Sequence, residues 1–358
     1  MSGNRRRPTL DDVASAVGVS RATVSNAYNR PDQLSPGLRE EVLRAANRLG
    51  YAGPDPVARS LATQRTGAIA FMLDTGLSAA FSDPALSITL DALATTVGPT
   101  GHALLLLPGG DDGGPRADRV LTAQADLAVA YSLADGAPAL RAVRRRGLPL
   151  VVIDHPVVPG AARVGIDDRG GAAAAARHLL ALGHRRFGVL SAQCLSAPRG
   201  GPLDADEALR SRFRDNRERL TGYLDALTEA GIPRTHVPIW ETSGLSREDA
   251  MAGVRGLLDR TPRPTALLCM SDELALAALA TAHRHGLAVP ADLSIVGFDD
   301  TPPARWAEPG LTTVRQDLVR KGRLAGEFAL RLLAGERPPE PATLDVELVV
   351  RGSSGPAR

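Results

Sequence analysis

The sequence predicts two kinds of fold in one chain: an all-α N-terminal domain of short helices, then an α/β body of two lobes with parallel sheets. Three observations carry this expectation. Before Tyr51 apolar side chains recur at three- and four-residue spacing, the period of an amphipathic helix. From Thr66 onward short, continuous apolar runs alternate with helical patterns, as in parallel strands covered on both faces. The length, 358 residues, also exceeds what one hydrophobic core usually serves.

Composition narrows the function classes. With 44% hydrophobic and 23% charged residues the chain is an ordinary globular one. Its longest apolar stretches, Ala103 to Leu107 and Ala266 to Met270, fall far short of the ~20 residues that span a bilayer, so no membrane partner is expected. Arg5, Arg6 and Arg7 are followed by Thr9, Leu10, Asp11 and Asp12 rather than by the apolar centre of a secretory signal, and a cytoplasmic, nucleoid-associated location follows. Cys194 and Cys269 stand far apart without metal-ligand neighbours; neither a disulfide, a zinc site nor any cofactor is expected. The net charge of +2 divides unevenly. Residues 1–65 hold ten arginines and six acids, whereas the remainder is slightly acidic, so the N-terminal end suits a polyanion. All basic residues but Lys321 are arginine.

The N-terminal elements follow from TLDDVASAVGVSRATVSNAYN, residues 9–29. Leu10, Val13, Ala14 and Val17 share one face of a first helix; Gly18 permits a left-handed turn, Val19 plugs the angle, and Ser20 caps a second helix from Arg21. Val24 and Ala27 turn inward, leaving Arg21, Ala22, Ser25 and Asn26 outward, as on a recognition helix that meets base edges. Ser35 caps a third helix with Pro36 at its first position, and Leu38, Val42, Ala45 and Leu49 are expected to face the same core.

In the body, the runs GAIAFML, HALLLL, DLAVAY, LPLVVID, FGVLS, TALLCM and SIVGFD read as buried strands. Helical patterns lie between them: Asp83 caps a helix with Pro84 first and Leu86, Leu90, Leu93 and Val97 along one face, and residues 172–182 and 273–285 behave alike. Two sheets of three to six strands each fit the length.

Ala14, Gly18, Val19, Ser20, Thr23, Val24 and Ser25 form the string AxxxGVSxxTVS, which resembles the lac repressor and galactose repressor family. The similarity continues through Arg44, Ala45, Ala46, Leu49, Gly50 and Tyr51, and then through Ala58, Arg59, Ser60 and Leu61, which resemble the family's hinge helix. In the body it is carried by HLLALGHRRFGVL from His178, RLTGYLDAL from Arg219, SDELALAAL from Ser271, LAVPADLSIVGFDD from Leu287 and LTTVRQD from Leu311. Two departures stand out. Asn26 occupies a position where many members carry Arg or His, and Gly53 makes the stretch before Ala58 one residue longer than in the lac repressor.

The resemblance implies a helix-turn-helix domain over residues 1–53, a hinge over 54–66, and over 67–358 a periplasmic-binding-protein-like domain that senses a ligand and dimerises. Its implied partners are double-stranded operator DNA, a small-molecule effector, most often a sugar and next a nucleoside or purine, and a second copy of the chain. A tetramer is not expected, because no leucine heptad follows LVVRGSS. The implied DNA-contacting residues are Thr9, Ser20, Arg21, Ala22, Thr23, Ser25, Asn26 and Asn29 in the helix-turn-helix and Ala58, Arg59 and Leu61 in the hinge. In the family the hinge leucine wedges into the minor groove, spending unstacking energy to gain contact with a bent duplex.

Ligands of open α/β sheets sit at the carboxyl ends of strands, which places the effector between the lobes. The resemblance points first to Arg219 and Asp299 there, a guanidinium and a carboxylate able to hold vicinal hydroxyls by charge-assisted bonds. Asp154, Asp167 and Gln316 are further carry-overs, and Asp154 and Asp167 fit helix caps equally well. Tyr131 and Phe81 are candidate lids or stacking faces. Residues 191–217 are longer than the family's usual connection, which places them either at the cleft mouth or in an exposed insertion.

Other classes fit less well. A transport receptor would need a signal sequence and no helix-turn-helix; a nucleotide enzyme should carry GxGxxG after a strand or GxxxxGK[ST], and neither is present. A hydrolase would need paired carboxylates facing one substrate, which adjacent Asp299 and Asp300 cannot supply from one strand end. The chain is therefore read as a regulator and not as an enzyme.

Overall fold

A computed structural model of the chain describes residues 8–53, 60, 64–110, 113–195, 199–242 and 246–358. The chain divides into two compact units, Met1–Thr66 and Gly67–Arg358.

The first unit is three α-helices and a short 3-10 turn. Helix α1, Leu10–Val17, begins with a capping box: the Thr9 hydroxyl accepts from the Asp12 amide at 3.4 Å, and Asp12 Oδ2 accepts from the Thr9 amide at 2.7 Å. It ends at Gly18, whose φ of 73° is the left-handed conformation the sharp turn needs. The Ser20 hydroxyl accepts from the Thr23 amide at 3.0 Å and starts α2, Arg21–Asn29; Ser35 and Pro36 start α3, Pro36–Leu49. Val13, Val24, Ala27, Val42 and Ala45 are fully buried in the shared core, with Val19 packed at its edge. Leu49 departs from its expected inward position and is 40% exposed. Tyr51, two residues on, packs against this core instead, edge-on to Tyr28 with ring centroids 6.0 Å apart.

The second unit follows the predicted alternation. Strands β1 (Ala68–Leu73), β2 (Ala103–Leu107), β3 (Leu127–Tyr131), β4 (Leu150–Ile153), β5 (Ala162–Ile166) and β12 (Ala342–Leu344) form an all-parallel sheet ordered β12-β5-β4-β3-β1-β2. Strands β6 (Phe187–Ser191), β7 (Gly201–Leu203), β8 (Ile239–Glu241), β9 (Ala266–Cys269), β10 (Ser294–Asp299), β11 (Thr312–Gln316) and β13 (Val346–Val349) form the other, ordered β13-β11-β10-β9-β6-β8-β7, with only its two edge strands antiparallel. Seven strands exceed the expected six. Strands such as GPL, IWE and ATL have three residues each, too short for an apolar run to announce them.

Helices in chain order are α4 (Leu77–Ser82), α5 (Pro84–Val97), α6 (Ala117–Thr122), α7 (Pro138–Arg146), α8 (Asp168–Ala181), α9 (Ala205–Ala208), α10 (Arg214–Glu229), α11 (Arg247–Leu258), α12 (Asp272–Arg284), α13 (Pro302–Trp306) and α14 (Leu318–Leu333). Helix α14 packs on α5 and on β3, β4 and β5, whereas α8 packs on α10, β11 and β13. The chain therefore passes between the lobes three times, after β5, after β11 and after β12. Among the described residues no helix is long and apolar enough to cross a membrane.

Candidate functional site

The carboxyl ends of β3, β4 and β10 carry unusual backbone. Ser132, Asp154, Asp299 and Asp300 have φ of 50°, 63°, 119° and 56°, a region that non-glycine residues rarely adopt. Such strain persists only where the surroundings over-determine it, and it concentrates at functional sites. Here it turns two carboxylates out of their strands.

Arg219, on α10, lies with its guanidinium carbon 3.8 Å over the Phe298 ring and is 8% exposed. Its Nε donates to Asp168 Oδ1 at 2.8 Å, one Nη1 donates to the Met270 carbonyl at 2.5 Å, and Nη1 stands 3.9 Å from Asp299 Oδ1. Arg219 and Asp299 are thus brought together. Among the described residues these partners leave Nη2 of the five-donor fork without a hydrogen bond. Gln316 donates to Asp299 Oδ1 at 2.6 Å and accepts from Lys321 Nζ, which also holds both oxygens of Asp154 at 2.7 and 2.9 Å. This ladder runs from α10 in one lobe, through Asp299 and Gln316, to α14 and Asp154 in the other. Asp154 pairs with a lysine and caps no helix.

Asp167 has a different place. It is exposed and its Oδ1 accepts from the Gly170 amide at 2.9 Å, so it caps α8, while its neighbour Asp168 meets Arg219. Tyr131 is 8% exposed, packs against Phe71 at 6.0 Å between centroids, and its hydroxyl is pushed well above its usual range by burial and by the charges of Asp83, Asp154, Asp299 and Asp74. Phe81, on the short α4, is 63% exposed.

Burial dominates the electrostatics. It pushes the Asp74 carboxyl up to about 7 and raises Asp83, Asp168 and Asp299 above the usual carboxylate range, against the pull of Arg219 on the last three. Arg219 is held charged by Asp168 and Asp299 despite its burial. Six carboxylates (Asp74, Asp83, Asp154, Asp168, Asp215 and Asp299) thus share this region with the cations Arg219, Lys321 and His155. Asp74, Asp168, Asp215, His155 and Lys321 were absent from the sequence expectations. For Lys321 a signal existed, because it is the only lysine in the chain, and a compact ammonium fits a buried carboxylate where a guanidinium fork would not.

In the helix-turn-helix, Arg21 and Ala22 are exposed, and Thr23, Ser25 and Asn26 are half-buried. Arg21 pairs with Asp11 of α1 at 2.9 Å, both well exposed, and Asn26 donates to Gln33 at 3.2 Å. The Thr9 and Ser20 hydroxyls are engaged as caps. Asn29 closes α2 with its side chain outside the described residues, where Ala58, Arg59 and Leu61 also lie.

Residues 9–53 match the model of bacterial regulatory proteins of the lacI family, and residues 176–354 match that of a periplasmic binding protein-like domain. Over 362 residues the chain is 40% identical to an HTH-type transcriptional regulator of Mycolicibacterium smegmatis, covering 98% of this chain and 97% of that one. The chain belongs to the lacI family. Among solved structures of the family, it is similar to the lac repressor dimer bound to operator and the anti-inducer ONPF, with a TM-score of 0.78, 26% identity and coverage of 98% of this chain and 100% of that one. It is also similar to the transcriptional regulator CelR in complex with cellobiose, with a TM-score of 0.68, 29% identity and coverage of 97% and 100%. This lacI-family chain is a DNA-binding transcriptional regulator, with an N-terminal helix-turn-helix and a two-lobed α/β domain.

Proposed function

We propose that the regulator is a dimeric repressor whose operator affinity is set by an uncharged sugar or related polyol bound between the lobes. The ladder Arg219–Asp299–Gln316–Lys321–Asp154 carries this reading. It puts carboxylates, an amide and spare guanidinium donors from both lobes within reach of one small molecule, so a ligand touching both ends favours one lobe arrangement over another. Hydroxyls suit this lining because they donate to ionised carboxylates and accept from carboxyls held neutral by burial.

Ion pairing discriminates further. A phosphate ester would have to displace Asp168 from Arg219 and Asp154 from Lys321. A nucleoside is the second reading and is less well served: Arg219 covers a face of Phe298, and Tyr131 packs against Phe71. The CelR–cellobiose complex is consistent with a sugar in the corresponding fold.

At the DNA end, Arg21, Ala22, Ser25 and Asn26 would meet base edges in the major groove, with Thr9, Ser20, Thr23 and Asn29 beside them. Ala58, Arg59 and Leu61 would enter the minor groove. Two copies would place two such units on a near-palindromic operator in the cytoplasm.

A thermal-shift panel of sugars, polyols, nucleosides and their phosphate esters tests the reading. Saturation at 100 times the dissociation constant adds about 2.7 kcal/mol of stability. Stabilisation by an uncharged polyol that also alters binding to the chain's own promoter DNA is the expected result. Stabilisation confined to phosphate esters would overturn it.

A further inference from the structure

The lobes are joined covalently by three passes, and residues 211–217 add a fourth, non-covalent connection beside the cleft. This segment belongs to the second lobe, running from α9 into the first turn of α10. It docks on the loops that follow β3 and β4 of the first lobe. The Asp135 amide donates to the Arg212 carbonyl at 2.8 Å, and Arg212 returns Nε and Nη2 to the Asp135 carbonyl at 3.1 and 2.9 Å. Arg217 Nη2 stands 3.1 Å from Asp135 Oδ2 and braces the strap itself through the Ser211 carbonyl. Phe213 is 7% exposed and lies close to Gly113, whose φ of 70° and missing Cβ admit Ala134, since a Cβ there would stand 2.4 Å from the Ala134 Cβ.

His155, 1% exposed, lies at the centre of this contact, with its ring edge-on to Phe213 at 6.3 Å. Its Nδ1 is 2.8 Å from the Leu133 carbonyl, which can only accept; its Nε2 is 2.9 Å from Asp215 Oδ1. Nδ1 thus meets an acceptor, while Nε2 lies within ion-pair distance of Asp215 without hydrogen-bond geometry, and the acidic neighbour favours the doubly protonated imidazolium. The charged groups around the ring are Asp215 on α10, Asp154 beside it and Asp74 after β1, all acidic; Arg219, one turn beyond Asp215 on α10, acts on Asp215.

We propose that residues 211–217 are a strap that holds the two lobes together, and that the His155–Asp215 ion pair is its charged pin. His155 and Asp215 are positioning residues: they bias the lobe arrangement on which the effector reading above rests. Burial opposes the imidazolium, but Asp215 outweighs it and lifts His155 to about 9, while Asp215 is held well below the usual carboxylate range. For a raised histidine the contribution is complete below its unfolded value and is lost as pH rises through the folded one. For a depressed carboxylate it is lost only in strong acid. The strap should therefore hold fully below about pH 6.5 and loosen progressively as pH rises to about 9.

The test needs no effector, so it can fail independently of the effector reading. Spin labels on the exposed faces of α7 and α11, one in each lobe of the full-length chain, report the interlobe distance between about pH 6 and pH 10. In the unmodified chain the distance distribution should broaden or lengthen progressively as pH rises from about 6.5 to about 9. His155→Gln should show the high-pH distribution already at pH 7 and lose the pH dependence, with Arg217→Gln, at the strap's more exposed rim, as the milder variant should His155→Gln not fold. Unchanged distances in a folded His155→Gln or in Arg217→Gln, or an undiminished pH dependence in His155→Gln, would overturn the proposal.

Discussion

Arg219 illustrates how single residues serve this fold twice. Its charge balances Asp168 and approaches Asp299, and its fork also ties α10 to the Met270 carbonyl at the end of β9. Removing the whole side chain would strand buried carboxylates, which confounds binding with folding. Arg219→Lys is the cleaner substitution, since it keeps the charge and loses the planar fork. Effector affinity measured by calorimetry should fall about tenfold, or ~1.4 kcal/mol. An unchanged affinity would move the ligand away from Arg219. Asp167 and Asp168 make the complementary point. Both are acids after β5, but one caps α8 and the other pairs with Arg219, because consecutive residues entering a helix point in different directions.

At the scale of elements, each lobe depends on one close helix pair. In α10 a Cβ on Gly222 would lie 2.2 Å from the Arg169 carbonyl and 3.0 Å from the Ala172 Cβ of α8. Gly322 of α14 stands likewise against the Thr89 carbonyl of α5 at 2.2 Å. The neighbouring atoms include rigid backbone, so an added methyl must push the helices apart. Gly222→Ala should cost about 1–3 kcal/mol in chemical denaturation, as overpacking usually does. Since α10 carries both Asp215 and Arg219, the same change should weaken effector binding; loss of neither stability nor binding would show that α8 and α10 have slack.

For the whole molecule, the acidic cleft carries a cost that varies with pH. A buried carboxyl whose pKa is raised on folding holds its proton longer than in the unfolded chain, so stability declines as pH rises from its ordinary value of 3.8 to the folded value, about 7 for Asp74. Asp74→Asn removes that charge. Its thermal midpoint at pH 8 should exceed that of the unmodified chain, and the gain should shrink toward pH 4. A lower midpoint at pH 8 would mean that the ionised Asp74 is held by a favourable contact. The strap acts in the same direction at higher pH: its contribution is complete below about pH 6.5 and is lost as pH rises to about 9.

The helix-turn-helix and seven continuous apolar strands were legible in the chain itself, because their signals are local. Capping residues, a left-handed glycine and an apolar period act within a few residues of one another, as Thr9, Gly18 and Ser20 do. Arg219 and Asp299 could also be named, since the family resemblance carries their positions. What only the tertiary structure decided is the company these residues keep. Nothing in the sequence joins Lys321 to Asp154 or Asp215 to His155, because those pairs form when separate strand ends and helices converge across two lobes. Leu49 shows the same limit from the other side: its apolar period was right, but whether a face is buried depends on what else reaches it.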